Sequence, residues 1–174
     1  VIIGGGSEEK KLRELAGNDR NITFTGRASD ETVLDYLQRC RALLFCAEED
    51  FGFVPLEAQA CGAPVIAFGK GGACETVIQE KTGIFFPEQT SESLADAICR
   101  FEELDKKETF KKEEIVSHAR SFTFERFKED FLAAVDAAAE RADAAGDREL
   151  EAGARWPAHG DNADEQCPGW HVFR

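Results

Sequence analysis

Residues 42–68 decide the fold, and they read Ala-Leu-Leu-Phe-Cys-Ala-Glu-Glu-Asp-Phe-Gly-Phe-Val-Pro-Leu-Glu-Ala-Gln-Ala-Cys-Gly-Ala-Pro-Val-Ile-Ala-Phe. The segment begins and ends with short apolar runs, at 42–45 and 64–68, which are typical of strands buried on both faces of a parallel sheet. Between them, residues 55–61 predict a helix, with proline at a position that tolerates it and Gly62 where a helix can stop. The pattern predicts a strand, a helix and a second, parallel strand.

The same alternation continues on both sides of this unit. Further β-prone runs lie at 1–3, 22–25 and 83–86, and amphipathic patterns predict helices at 8–16, 30–41, 74–79, 91–104 and from Thr123 to about Ala138. We expect five side chains of the last helix to face inward: Phe124, Phe127, Phe131, Leu132 and Val135. Repeated β-α units with short connections predict an α/β fold, a doubly wound parallel sheet of the Rossmann-like type.

The composition is that of a globular chain with a strongly acidic balance. Of 174 residues, 43% are hydrophobic and 32% are charged, and the net charge is -13. A surface this acidic repels polyphosphate backbones, so nucleic-acid binding is not expected. No run approaches the about 20 apolar residues of a membrane span. The cysteines have no CxxC spacing, which argues against zinc and against a disulfide framework; five lie in segments typical of buried thiols (Cys40, Cys46, Cys61, Cys74 and Cys99).

Two glycine-rich loops follow predicted strands, at the edge where open parallel sheets bind ligands. The run Gly4-Gly5-Gly6-Ser7 suits either a close approach of the backbone to a phosphate or a plain tight turn, and taken alone it favours the turn. It is not a dinucleotide fingerprint, because Glu9 stands where the third glycine belongs. Residues 69–73 place Lys70 among glycines, which suits a diphosphate cradle or, equally, a solvated turn.

The most informative loop is acidic. Glu48, Glu49 and Asp50 follow a predicted buried strand, and Glu57 falls in the first turn of the next helix, so Glu49 and Glu57 can point to the same side of the sheet. Carboxylates only accept hydrogen bonds, which suits a hydroxyl-rich ligand such as a ribose diol and a hexose. Alternatively, Glu57 complements the helix dipole and Glu49 is a solvated loop charge. Spacing alone favours these plainer alternatives.

Taken together, these motifs resemble the C-terminal domain of family 4 retaining glycosyltransferases, two-domain enzymes of the GT-B type that use nucleotide-sugar donors. The resemblance rests on residues 49–67, 71–77 and 81–83, on the Glu-x7-Glu motif formed by Glu49 and Glu57, and on the Phe-Thr-Gly-Arg segment. These motifs occur in the order that the family shows. The resemblance implies that residues 1–139 form a nucleotide-sugar-binding domain, the C-terminal half of a GT-B enzyme.

The resemblance also implies a role for each site residue. Glu49 would be the catalytic residue, orienting the hydroxyls of the donor hexose and stabilising positive charge at the anomeric carbon, while Glu57 would hold the ribose hydroxyls. Gly26 and Arg27 would flank the base. The remaining residues would contact the donor sugar and its phosphates: Gly4, Gly5, Asp50, Phe51, Gly52, Phe53, Val54 and Lys70.

Further expectations concern the parts outside residues 1–139. In the family, a first strand with a basic phosphate loop opens this domain, and an N-terminal acceptor domain precedes it; we expect both upstream of Val1 and interpret the chain as the donor-binding half. We interpret residues 140–174, rich in alanine, aspartate and glycine, as a disordered tail. Without the acceptor domain, we expect little or no transferase activity. The alternative is a non-catalytic remnant or interaction module with the same fold.

The resemblance implies hexose transfer, with GDP-mannose as the expected donor and a glycan or lipid-linked molecule as the acceptor. No cofactor and no tightly bound metal are expected, because amides and basic side chains can offset the charge of the diphosphate leaving group. The expected location is the cytoplasm, at the inner face of the membrane in the full-length enzyme.

Overall fold

A computed structural model describes residues 1–152 of the chain, with the side chains of residues 1–142. The chain forms two compact units, Val1–Arg120 and a second one that begins at Ser121. The first unit contains all strands of the described residues. The second is described as one helix.

All five predicted strands are present in the first unit, and every pair between them is parallel. They form two sheets: β1 pairs with β2, and β3, β4 and β5 follow one another in a second sheet. The strands are β1 (Ile2–Ile3), β2 (Phe24–Gly26), β3 (Leu43–Phe45), β4 (Val65–Phe68) and β5 (Gly83–Phe86). The α/β class with parallel strands is therefore confirmed.

Within the described residues, the first four helices each connect two successive strands, as the alternation predicts, and three more follow β5. They are α1 (Glu9–Ala16), α2 (Asp30–Arg39), α3 (Phe53–Ala60), α4 (Ala73–Thr76), α5 (Ser91–Lys106), α6 (Lys112–Ala119) and α7 (Phe124–Ala152). The side chains of Ser29 and Thr90 cap α2 and α5 by accepting backbone N–H groups. Helix α6 was not predicted, because Ile115 is its one fully buried side chain and leaves no apolar stripe in the sequence.

The core lies on both faces of the three-stranded sheet. On β4, Val65 and Ala67 pack into one cluster with residues of α2 and α3, while Ile66 and Phe68 pack into a second cluster with residues of α5. Successive side chains of a strand point to opposite faces, so a strand covered by helices on both sides is apolar throughout. The prediction of burial on both faces is confirmed for β4, which has four buried residues.

Burial falls off toward the edge of the same sheet. Leu44, Ile66 and Ile84 lie side by side on β3, β4 and β5, and their exposed fractions are 50%, 1% and 0%. Strand β3 hydrogen-bonds to β4 alone among the described strands, so one of its edges is open. The prediction that β3 is buried on both faces is wrong for Leu44, because no strand of the described residues covers that edge.

The strand β1 has an open edge as well. It pairs with β2 alone among the described strands, and the apolar side chains of Ile2 and Ile3 are exposed. Parallel strands are normally covered on both faces, so an exposed apolar parallel strand is unusual. The prediction that the run 1–3 ends a buried strand is therefore wrong, for the same physical reason as at Leu44.

The second unit differs from its prediction in two ways. Helix α7 begins after Thr123, whose hydroxyl caps it by accepting the N–H of Arg126, and it extends past residue 139 to Ala152. The tail expected from residue 140 is thus helical up to 152, since alanine-rich sequence favours a helix; residues 153–174 lie outside the described part. The apolar stripe expected to face inward is exposed (Phe124, Phe127, Phe131, Leu132 and Val135).

Among the helices of the described residues, none combines the length and the apolar character that crossing a bilayer requires.

A glycine in β5 allows the close packing of β4 and β5. A Cβ atom added to Gly83 would lie 2.0 Å from the backbone oxygen of Val65 on β4. We predict that Gly83→Ala lowers the free energy of unfolding by about 3 kcal/mol, because the strands cannot separate without breaking their ladder. Urea denaturation measures this. In Gly6→Ala, the matched control, the added Cβ meets nothing within 4 Å, and stability should be unchanged; equal loss in both variants would contradict the prediction.

Candidate functional site

Three loops extend from the C-terminal ends of β1, β3 and β4, the edge at which parallel sheets bind ligands. Residues 4–6 follow β1, residues 46–52 follow β3, and residues 69–72 follow β4. Glu49 lies on the second loop and Glu57 lies on α3, and both are exposed to solvent. The predicted placement of one carboxylate on a loop and the other on the adjoining helix is confirmed.

The turn between the acidic loop and α3 depends on Gly52. Its backbone has φ +80°, in the left-handed region, where a residue with a side chain is strained. Helix α3 therefore begins at Phe53, and Pro55 sits inside its first turn, where its missing N–H is not needed. Glu57 consequently lies beyond the first turn, so both the predicted helix start and the dipole explanation for Glu57 are wrong.

The N-terminus of α3 is open to a ligand that accepts hydrogen bonds. No side chain caps it, and no acidic residue lies in its first turn. The first N–H groups of a helix have no partner within the helix, and they favour a nearby anion. Phe51 and Phe53 flank this end, with ring centroids 4.9 Å apart. The N–H groups of Phe53 and Val54, at the start of α3, thus offer donors a few residues after Glu49 in the chain.

The third loop packs against the second. The N–H of Gly72 donates to the carbonyl of Glu49 over 2.7 Å, and a Cβ on Gly72 would lie 2.4 Å from the Cα and the carbonyl oxygen of Phe51. Gly71 has φ +64°, and its Cβ would lie 2.5 Å from the oxygen of Glu49. The glycines predicted to form a flexible cradle therefore hold the acidic loop by backbone contact.

Lys70 precedes this contact and is exposed. Its ammonium group lies 5.6 Å from the centroid of the Phe68 ring, within the range of a cation–π interaction. The geometry places a positive charge on the loop that contacts Glu49.

The first loop meets β2 rather than the acidic loop. The N–H of Gly4 donates to the carbonyl of Gly26 over 2.8 Å, which brings together a predicted phosphate-contacting residue and a predicted base-contacting residue. Both glycines have positive φ. Arg27 is exposed beside them, and a Cβ on Gly5 would lie 2.9 Å from the carboxylate of Glu9. Tight backbone geometry around Gly4 and Gly26 explains these glycines without a ligand.

Two buried polar residues behind the site were not predicted. Gln59 on α3 and Thr76 at the end of α4 are both buried, and the amide nitrogen of Gln59 donates to the carbonyl of Thr76 over 2.9 Å. A nitrogen of the His118 ring lies 3.1 Å from the same carbonyl. The one sequence signal was a glutamine between alanines in an otherwise apolar helix.

The cysteines do not form a site in the described part of the chain. Cys46, Cys74 and Cys99 are exposed, so the prediction of buried thiols is wrong for them, since each lies on the outer side of its segment. Burial raises the pKa of the Cys40 and Cys61 thiols, and at Cys61 the charge of Glu57 adds to the rise. Raised thiol pKa values keep these groups protonated near neutral pH. Within residues 1–142, no cluster of three metal-ligating side chains was found.

Comparison with known families settles what the fold is. The family described as "Glycosyl transferases group 1" matches residues 1–117. The chain belongs to this family. The match covers the whole β-α region that contains the three loops.

Individual relatives agree with this assignment. A GDP-mannose-dependent alpha-(1-6)-phosphatidylinositol monomannoside mannosyltransferase of Mycobacterium tuberculosis is 38% identical over an alignment of 110 residues, which covers 57% of this chain and 29% of the relative. The chain thus spans less than a third of that relative.

Solved structures share the fold. Sucrose-phosphate synthase from Thermosynechococcus elongatus superposes with a TM-score of 0.64 and 27% identity, over 79% of this chain and 38% of the other. Anabaena HepE in complex with UDP-glucose superposes with a TM-score of 0.62 and 25% identity, over 78% and 40%. The α/β fold with parallel strands is that of the GT-B glycosyltransferases.

The backbone contact between the two loops generates a prediction. Gly72→Ala places a Cβ against the backbone of Phe51, which cannot move without displacing the acidic loop, and we expect a loss of about 2 kcal/mol of folding free energy. Thermal denaturation with calorimetry measures it. Gly69→Ala is the matched control on the same loop, because its Cβ would make an ordinary contact at 3.5 Å. Unchanged stability of Gly72→Ala would show that the loops are not in this contact.

Proposed function

We propose that residues 1–120 bind the nucleotide-sugar donor of a retaining hexosyltransferase. The observation that carries the proposal is the order of groups along the acidic loop and α3: Glu49 precedes the N-terminus of α3, which no side chain caps, and Glu57 follows it on the helix. Carboxylates accept hydrogen bonds from sugar hydroxyls, and helix N–H groups bind phosphate oxygens. One short segment of chain therefore offers complementary partners for the sugar and phosphate parts of a nucleotide-sugar.

We propose a role for each residue, as the family resemblance implies. Glu57 accepts hydrogen bonds from the ribose, and Glu49 accepts them from the hexose and stabilises positive charge as the bond to the diphosphate breaks. Asp50 and Lys70 contact the sugar and the phosphates. Lys70 supplies a positive charge from the third loop. The backbone of residues 51–54 donates to the phosphates. The loops at Gly4, Gly5, Gly26 and Arg27 line the nucleotide side, and no resident metal or cofactor is needed.

GDP-mannose is the proposed donor. The mycobacterial relative is named as GDP-mannose-dependent, and its name specifies a phosphatidylinositol acceptor, which supports a lipid-linked or glycan acceptor for the whole protein. Such an acceptor also supports a cytoplasmic enzyme at the inner face of a membrane. The HepE structure contains UDP-glucose, so a uridine nucleotide is the competing donor.

We further propose that the whole protein supplies another parallel strand and an acceptor domain. The support is the pair of open, apolar edges at β1 and β3, which belong to the two strands whose loops form the site. In doubly wound sheets the ligand lies where the strand order reverses, and a strand that joined β1 to β3 would create such a point between the two sheets. A strand inserted between these edges would bury Ile2, Ile3 and Leu44.

Donor binding tests the proposal directly. We expect GDP-mannose to raise the melting temperature of the chain, by the equivalent of about 2.7 kcal/mol at a concentration of 100 Kd. The comparison donors are UDP-glucose, UDP-N-acetylglucosamine and ADP-glucose. Stabilisation by none of the four would contradict the proposal and favour a non-catalytic remnant or interaction module; stabilisation by a uridine donor alone would correct the donor.

Substitutions at the two carboxylates distinguish their roles. We predict that Glu57→Gln weakens both GDP and GDP-mannose, while Glu49→Gln weakens GDP-mannose alone, each by about tenfold, because a hydrogen bond to a charged group contributes roughly 1.5–3 kcal/mol. Isothermal titration calorimetry measures both affinities. Glu48→Gln, an exposed acid on the same loop, is the control and should bind normally. An equal loss of affinity for GDP-mannose in Glu48→Gln and Glu49→Gln would contradict the prediction, because the loss would then come from the change in net charge alone.

Transfer by the chain itself is the second outcome to measure. Holding the acceptor hydroxyl against the anomeric carbon can supply roughly 7–11 kcal/mol of a barrier, and residues 1–120 include no separate acceptor domain. We predict that the purified chain releases no GDP above the uncatalysed background when supplied with GDP-mannose and a lipid-extract acceptor. Release of GDP that depends on Glu49 would contradict this.

A further inference from the structure

Gln59 connects the helix that carries Glu57 to the loop that carries Glu49. Its side chain is 0% exposed, and its amide nitrogen donates to the carbonyls of Pro55 over 3.2 Å and Thr76 over 2.9 Å. Thr76 is the last residue of α4, where a carbonyl has no donor within the helix. The amide thus joins the first turn of α3 to the end of α4.

The connection continues from α4 to the acidic loop. The hydroxyl of Thr76 donates to the carbonyl of Gly72 over 3.1 Å, and the N–H of Gly72 donates to the carbonyl of Glu49 over 2.7 Å. Gln59, Thr76, Gly72 and Glu49 therefore form a continuous chain of hydrogen bonds, which we call the relay. The two carboxylates of the site are linked twice: along the backbone through Gly52, and through the relay.

The chemistry of Gln59 argues that its donor groups are what matter. Its oxygen Oε1 is buried and has no hydrogen-bond partner among the described residues, which is unfavourable for a polar atom. An apolar side chain of the same length would avoid that cost while filling the same space. Glutamine at this position is explained by the hydrogen bonds that its N–H groups make and that no apolar residue can replace.

We propose that Gln59 is a positioning residue for donor binding, which rests on the function proposed above. It acts through Thr76 and Gly72 by holding the backbone of Glu49 at a constant place relative to α3. Glu57 belongs to α3 itself and needs no such support. Loss of the relay should therefore affect recognition of the sugar, which depends on Glu49, more than recognition of the nucleotide, which depends on Glu57.

The test combines a ligand-free and a ligand-bound measurement on Gln59→Met, which keeps the length of the side chain and removes its donors. We expect the Gly72 amide proton to exchange with solvent about tenfold faster, because its hydrogen bond to Glu49 opens more often. We also expect the affinity ratio of GDP-mannose to GDP to fall by about the same factor. Thr76→Val removes the hydroxyl bond to Gly72 but keeps the bond from the backbone N–H of Thr76 to the same carbonyl, so it should reproduce both effects in part. Thr76→Ser keeps the hydroxyl and should show neither effect.

Phe101→Leu controls for general loss of stability, because Phe101 packs in the other core cluster, away from the relay. Unchanged exchange at Gly72 in Gln59→Met, or an equal increase in Phe101→Leu, would overturn the proposal, and so would faster exchange with an unchanged affinity ratio. If Gln59→Met does not fold, the same two measurements on Thr76→Val and Thr76→Ser decide whether the relay positions Glu49. If the parent chain binds no nucleotide, the proposed function fails and the exchange measurement alone decides whether the relay holds the loop.

Discussion

A backbone contact without side chains organises the candidate site. The N–H of Gly72 reaches the carbonyl of Glu49 at 2.7 Å, and this distance is possible because neither Gly71 nor Gly72 has a Cβ that would meet the acidic loop. Backbone groups buried by such an approach must find partners, and here the two loops satisfy each other. The contact places the end of β3 and the start of α4 side by side, so the carboxylate loop has a defined position before any ligand binds.

The strands β1 and β3 each have one edge that no described strand covers. Among the described residues, no strand joins the two sheets of this domain. The match to the relative from Mycobacterium tuberculosis covers 29% of that protein's length. Apolar side chains at a parallel edge are stable when a neighbour covers them, and exposed edges favour pairing with another strand. The exposed Leu44 beside the buried Ile66 shows how sharply burial depends on that neighbour.

Local patterns predicted most of the first unit. The apolar stripes of α2 and α5 are periodic, and the apolar run of β4 is short and flanked by Pro64 and Gly69, so helix and strand could be distinguished without any tertiary contact. The position of Glu49 on a loop and of Glu57 on a helix also follows from local signals, Gly52 above all. The start of α3 was predicted too late, because proline is tolerated anywhere in a first turn and does not mark its first residue.

The sequence by itself determined the α/β class, the order of the strands and of the helices apart from α6, and the placement of Glu49 on a loop and Glu57 on a helix. Only the tertiary structure decided which apolar residues are covered and how the loops meet. An apolar side chain favours burial, but burial requires neighbours on every side, and no described strand pairs with the outer edge of β3 at Leu44 or of β1 at Ile2. The relay through Gln59 was invisible for the same reason, since its partners lie far apart in the chain and meet only when the helices pack.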